Sequence, residues 1–427
     1  MENKNLTDAA IEQVDVAIIG AGPAGAAAAA WLAREGLRVR VLEQSVFPRF
    51  SIGESLLPQC MQYLQECGLL AAAEAGGFQH KDGAAFCWRD ETAAVLFTEK
   101  FSAGPGTTWQ VPRADFDQRL IEGAQALGAE VLFGCKVIDF VPDAEAPRIS
   151  LMTAEGEAQQ LQARFVLDAS GYGRVLARLT GLACDSVLES RCALFMHVED
   201  HIDTADYDRN KILIGIHPQL PSVWYWLIPF SDGRASVGVV GDKATLEQAG
   251  LDDGERLWSM LRQEPRYAEL LKNAVQVRDT GRLEGYSAAV SQLHGPGFAL
   301  LGNAGEFLDP VFSSGVTIAL HSAWLAAPLV KRQLAGETVD WQAEFELPLR
   351  AGVDTFREFV IAWYDGRLPR IIFNERQPER IRNMVSAVLA GYAWDTDNPL
   401  VAASRRRLDA LAQSSTDSRF DVIVDAC

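Results

Sequence analysis

Basic residues are in short supply. The 427 residues carry 39 Lys and Arg against 57 Asp and Glu, a formal net charge of −18 at pH 7. That balance excludes nonspecific attraction to nucleic acid or to an anionic membrane surface. Long apolar runs are missing too. No stretch reaches the roughly 18 residues that a membrane-spanning helix needs, and the richest, AGAAAAAWLA, is broken by glycine and followed by Arg34. The opening MENKNLTDAAIEQ lacks the basic and apolar regions of a signal peptide, so it reads as a loose arm and the protein as cytoplasmic. The seven cysteines are scattered, with no CxxC. Reduced core thiols are the expectation, and neither disulfides nor a metal site is predicted.

What is present begins at VDVAIIG, residues 14–20, an apolar β-branched run of the kind found in a buried parallel strand. GAGPAG follows, with Gly20, Gly22 and Gly25 in GxGxxG spacing, and then a helix closing at Gly36 and a second strand ending at Glu43. Gly20 permits the tight turn, Gly22 lets a pyrophosphate approach the backbone, and Gly25 lets helix and strand pack closely. The helix N-terminus, from Ala24 on, faces the phosphates. Glu43 stands where a ribose hydroxyl is accepted. The fold class is therefore α/β with a dinucleotide-binding βαβ unit. NAD and FAD both fit this unit; its place at the N-terminus, with no second βαβ unit after it, favours FAD.

ARFVLDASGYGR (163–174) and PGFALLGNAGEFLDPVFSSGVTIALHSA (296–323) resemble the second and third FAD-contact segments of the flavoprotein monooxygenase superfamily. That resemblance implies cofactor contacts from Asn303, where the superfamily usually has Asp, and from Asp309, Gly315 and Val316. It also places Arg113, opening the helix in VPRADFDQRL, near the flavin. Four spaced motifs narrow the resemblance: GES at 53–55, KxGxxFxW from Lys81 to Trp88, WxWxIP from Trp224 to Pro229, and FxxPxxSxG from Phe307 to Gly315. Over roughly residues 14–330 the chain is similar to the flavin-dependent halogenases, nearest the branch acting on phenols and pyrroles.

The resemblance implies reduced FAD, O2 and chloride or bromide as co-substrate. Halide attacks a flavin C4a-hydroperoxide, hypohalous acid forms, and a lysine aligned with Lys81 passes the halogen to an electron-rich ring. Ser314 and Gly315 hold the halide, and Trp224 and Trp226 keep substrate away from the flavin. The residues themselves allow plainer readings. Lys81 fits an exposed strand edge as well as a cavity, the tryptophans fit a core, and Ser313 and Ser314 fit a helix cap. An unsatisfied helix start also holds an anion by simple physics. His80 and His321 read as ordinary residues, and Glu54 as structural or flavin-adjacent.

The expected organisation is a discontinuous FAD-binding domain (1–75, 105–180, 285–335), an antiparallel-sheet substrate domain (76–104, 181–284) and a C-terminal helical cap (336–427). Helix is expected over 246–274, interrupted at Pro265. No NAD(P)H motif is visible, so a separate flavin reductase is the expected partner, with a small aromatic or a carrier- or protein-bound substrate. Three other functions share parts of this pattern. One is an FAD hydroxylase of an aromatic ring, including a tryptophan of a partner protein. The others are an isoprenoid double-bond reductase and a flavoprotein that docks on a maturing partner.

Overall fold

The computed structural model of the chain describes residues 11–247 and 250–414. The first ten residues of the arm, Cys427 and the tail beyond 414 lie outside them.

The first sheet is built around Glu12–Ile19, which runs parallel to Ala158–Asp168 on one side and to Val39–Glu43 on the other. Phe298–Leu300 and Glu130–Phe133 extend it in parallel at the two edges. Such a strand is covered on both faces and has no reason to alternate; from Val14 to Ile19 only Asp15 is not fully buried. The cover on one face comes from helix Pro23–Arg34. Its proline occupies the first turn, where an N–H has no intrahelical partner, and Ala26–Ala30 are all buried. Their methyl side chains let it lie close to the helices Arg113–Ala126 and Ser314–Leu334. Gly36, at φ 82°, ends it.

The second sheet runs in the order Val275–Gln276, Cys192–Glu199, Arg234–Gly241, Trp224–Pro229, Lys211–Ile216, Gly83–Trp88, Glu91–Leu96. It is antiparallel except for one pair: Lys211–Ile216 lies parallel to Gly83–Trp88. Strand alternation sorts its faces. Trp224, Trp226 and Ile228 join the main core, whereas Tyr225, Leu227, Val237 and Val239 form a second core. The helices Asp253–Leu261 and Pro265–Leu270 cover that second core, with Pro265 opening the latter as the sequence suggests.

The 78–88 stretch is not one strand. Gln79–Lys81 pairs with Thr108–Gln110 in a separate two-stranded ribbon, and Gly83–Trp88 alone enters the large sheet. The C-terminal part is helical, with Leu347–Tyr364, Arg367–Ile372, Glu379–Leu389 and Ser404–Ser414. Among the described residues no helix is long and apolar enough to cross a membrane.

Candidate active site

A cavity of about 540 Å³ opens between the carboxyl ends of the parallel strands and the tryptophan face of the second sheet. This is where open α/β sheets take their ligands.

At its first end stands the GAGPAG turn. Gly20 has φ 98°, and a Cβ on it would lie 2.5 Å from the Ala169 carbonyl oxygen. A Cβ on Gly25 would lie 2.0 Å from the Gly20 oxygen, so helix and strand touch only because both are glycine. Gly22 differs, since a Cβ there meets nothing nearer than Arg49 Nη2 at 3.5 Å. It faces open cavity, as do Gly20, Ala24 and Glu43. The Glu43 carboxylate accepts from the backbone N–H of Ala21 and of Ser45, each at 2.8 Å, which locks it at the strand end.

Beside this turn lies a charge cluster of which motif reading gave only Arg113. Arg113 donates to both oxygens of Asp117, at 2.7 and 2.9 Å, and to the Ile52 carbonyl at 2.8 Å. Arg49 donates to the same carboxylate at 3.0 Å. Two guanidiniums thus share one buried anion, leaving positive charge on the cavity wall next to Gly22. The i,i+4 spacing of Arg113 and Asp117 on one helix was the available signal; nothing local pointed to Arg49.

On the other side, Asn303 sits in the turn Gly302–Ala304. Its Oδ1 is buried without a protein partner, and a Cβ on Gly315 would lie 3.8 Å from it. Ser313, at φ 57°, precedes helix Ser314–Leu334, and no side chain caps that helix. The capping role read for the serines is therefore not made, and the first-turn N–H groups keep their capacity for another acceptor. Gly315 and Val316 line the cavity. Ser314 is buried but lies off the cavity wall, because it belongs to the helix face turned inward.

Trp224 and Trp226 form the far wall on one face of their strand, with ring centroids 5.8 Å apart. Their indole N–H groups donate to Tyr364 Oη at 2.9 Å and Ser236 Oγ at 3.1 Å. Asp309 departs from its expected place as a cofactor contact. Its carboxylate turns away from the cavity wall and accepts from the Tyr286 and Tyr364 hydroxyls at 3.1 and 2.9 Å. Burial raises its pKa, against the opposing pull of these hydrogen bonds and of the nearby Arg191 charge.

Lys81 is not at an exposed edge. It is 1% exposed, and its Nζ donates to the Leu56 carbonyl at 2.7 Å, with the Phe97 ring 5.3 Å away. Burial pulls its pKa down to about 7. The amine does not line the large cavity. It lies behind the strap 53–57, whose Gly53, Glu54 and Ser55 do line it. The strap is pinned by Leu56 N–H to the Trp109 carbonyl at 3.1 Å and by Val111 N–H to the Glu54 carbonyl at 2.7 Å. Glu54 also holds His197 Nε2 at 2.7 Å, a buried pair 143 residues apart in sequence that no motif announced.

His80 is exposed. His321 bonds Tyr63 through Nδ1 at 2.7 Å, and burial lowers its pKa to about 3. His197 and His201 stand four apart, a metal-binding spacing on a helix; here His197 is in a strand and His201 beyond its end. No group of three metal-ligating side chains occurs among the described residues.

The wall fits FAD. Gly22 and the Arg49–Arg113 pair suit a pyrophosphate, Glu43 a ribose hydroxyl, and the orphaned Asn303 oxygen a hydroxyl or N–H donor. Comparison with known proteins agrees. An FAD binding domain family matches residues 13–281. The chain is similar to a 1H-pyrrole-2-carbonyl peptidyl-carrier-protein chlorinase of Pseudomonas fluorescens, at 29% identity over 94% of each chain. It is 30% identical to the corresponding brominase of Pseudoalteromonas luteoviolacea, over 78% of this chain and 80% of that one. A solved flavoprotein/dehydrogenase of Cytophaga hutchinsonii superposes with a TM-score of 0.91 at 42% identity, over 94% of this chain and 98% of that one.

Proposed function

The chain belongs to the flavin-dependent halogenase family, a branch of FAD-binding oxidoreductases, and from that premise we propose that it halogenates an electron-rich aromatic ring by way of Lys81. The substrate class proposed is a phenol, pyrrole or indole, small or presented on a carrier protein. Chloride or bromide is the co-substrate, and a separate reductase supplies reduced flavin.

The observation that carries the reading is the state of Lys81. An amine that is fully buried, donates to the Leu56 carbonyl and has its pKa pulled down by burial to about 7 is available as a nucleophile at neutral pH. Surface lysines are not.

Bound and reduced, FAD supplies the O2 activation that converts halide to hypohalous acid. The chain does the rest. Gly22, Arg49, Arg113 and Glu43 hold the dinucleotide. The uncapped start of helix Ser314–Leu334 offers the halide its N–H groups beside Gly315. The strap 53–57 separates the cavity from Lys81, so a small oxidant crosses where a ring does not. The neutral Lys81 nitrogen attacks the halogen; the N–X bond forms as the O–X bond breaks, and water leaves. The ring carbon then takes the halogen from nitrogen, and the proton it loses restores the amine.

The test gives the FAD-loaded protein a flavin reductase, NADH, O2, bromide and a panel of phenols, pyrroles and indoles. A brominated product that disappears in Lys81→Ala supports the reading. A product carrying only added oxygen, indifferent to bromide and to Lys81→Ala, overturns it. One observation favours hydroxylation as the second reading: Lys81 is absent from the cavity wall, so an acceptor ring placed inside the cavity meets the flavin rather than the lysine.

A further inference from the structure

The C-terminal helices reach the tryptophan wall through one buried carboxylate. Asp309 Oδ2 accepts from Tyr286 Oη at 3.1 Å and from Tyr364 Oη at 2.9 Å, while Oδ1 accepts from the Val311 N–H at 3.0 Å. Tyr364, the last residue of helix Leu347–Tyr364, accepts the Trp224 indole N–H at 2.9 Å. Its ring is stacked under Arg191, whose guanidinium carbon is 3.6 Å from the centroid. Asp309, Tyr286 and Trp224 are all buried. Three segments distant in sequence therefore meet at one point: the wall strand, the turn that leads into Ser313–Gly315, and the cap helix.

Apolar packing alone would hold the cap with less desolvation, since a carboxylate taken from water is costly even when bonded. What the polar group adds is direction. The Tyr364 hydroxyl has one proton, which it donates in a hydrogen bond to the carboxylate. The oxygen is then free only to accept, so it receives the indole N–H. The chain runs one way, from Trp224 through Tyr364 to Asp309, and it pins the N–H edge of the indole to the cap side. Asp309 also caps the turn Pro310–Phe312 immediately before the uncapped helix start. One carboxylate thus sets both the aromatic wall and the turn facing it.

We propose that Tyr364 and Asp309 are positioning residues for Trp224, and that the cap helix thereby holds the aromatic wall shut against loss of the oxidant from the cavity. This rests on the reading of an oxidant formed at the flavin, but not on what the oxidant does next.

The experiment compares wild type, Tyr364→Phe, Trp224→Phe and the double variant, each full-length and FAD-loaded, with a reductase, bromide and an accepted aromatic. Product per NADH consumed is read beside released hydrogen peroxide and hypobromous acid caught by an amine trap. Tyr364→Phe removes the hydroxyl oxygen and keeps the half-buried ring. It is expected to bind FAD within about twofold of wild type and to reoxidise flavin at the wild-type rate. Its product yield per NADH should fall about fivefold, the scale of one hydrogen bond, with released oxidant rising to match. In the Trp224→Phe background the same change should do nothing further. Asp309→Asn should shift the yield in the same direction. A yield unchanged in Tyr364→Phe, or losses that multiply in the double variant, would overturn the proposal. A wild type that makes no brominated product fails the halogenase reading instead; the ratio of oxygenated product to peroxide then tests the wall by the same comparison.

Discussion

The Lys81 amine and the Leu56 carbonyl oxygen are 2.7 Å apart, and that bond ties the lysine to the back of the strap whose front lines the cofactor cavity. Ser55 lines the cavity and its neighbour Leu56 holds the lysine. The lysine is therefore next to the cavity without being in it.

A pH profile follows from this burial. With the Lys81 pKa lowered to about 7 by desolvation, the neutral amine accumulates as pH rises through that value. Halogen transfer per reduced flavin should rise between about pH 6 and 8 and then level off, and Lys81→Ala should lack that limb. The stability sign agrees with the depressed pKa. Between about 7 and the ordinary 10.5, the unfolded chain binds a proton that the native one does not. Wild type should then gain stability relative to Lys81→Met as pH rises across that window, measured as the difference in midpoint of urea unfolding.

The glycines of the first turn separate stability from binding. Gly25→Ala places a methyl 2.0 Å from the Gly20 oxygen and should cost about 2 kcal/mol or more, read as a lowered Tm of the protein without FAD. Gly22 has an ordinary negative φ and open space at its Cβ. Gly22→Ala should therefore leave that Tm within a degree or so and weaken FAD binding about tenfold or more, because its methyl fills the place of the phosphates.

Asn303 makes the complementary test. Its Oδ1 is buried with no protein partner, so Asn303→Leu loses no internal bond. FAD affinity should fall about tenfold, some 1.4 kcal/mol, with little change in the stability of the cofactor-free chain. Equal affinity in the two proteins would place the orphan oxygen away from the cofactor.

Asp117→Asn should act on both properties. The carboxylate holds Arg113 at two points and Arg49 at a third. Removing its charge leaves two guanidiniums facing one neutral amide in a buried setting, a loss of about 3 kcal/mol. Chemical denaturation should show it, together with an FAD site that tolerates less salt change than the wild type.

The parts of this arrangement that local chemistry determines were readable. A glycine turn between an apolar strand and an alanine helix has few alternatives, and Glu43 sits where the strand must end. Alternation alone put Trp224 and Trp226 on one face. What escaped reading depends on contacts between distant segments. Apolar runs carry no direction, so the parallel pairing of Lys211–Ile216 with Gly83–Trp88 was invisible among antiparallel neighbours. Asp309 lies in a flavin-family motif, yet its side chain belongs to two tyrosines, one of them 55 residues away. The Glu54–His197 pair joins a loop to a strand across 143 residues, with no signal in either neighbourhood.

The strap 53–57 has a consequence for how such a protein changes over time. Residues on its front side come from the nucleotide sheet and the tryptophan strand. Those behind it include Phe97, in a turn packed against helix Glu379–Leu389. Substitutions in that helix should reshape the surroundings of the lysine and leave the cavity wall in front of the strap as it is. The lysine's surroundings and the cavity wall are thus built from different segments of the chain, so either can change without the other.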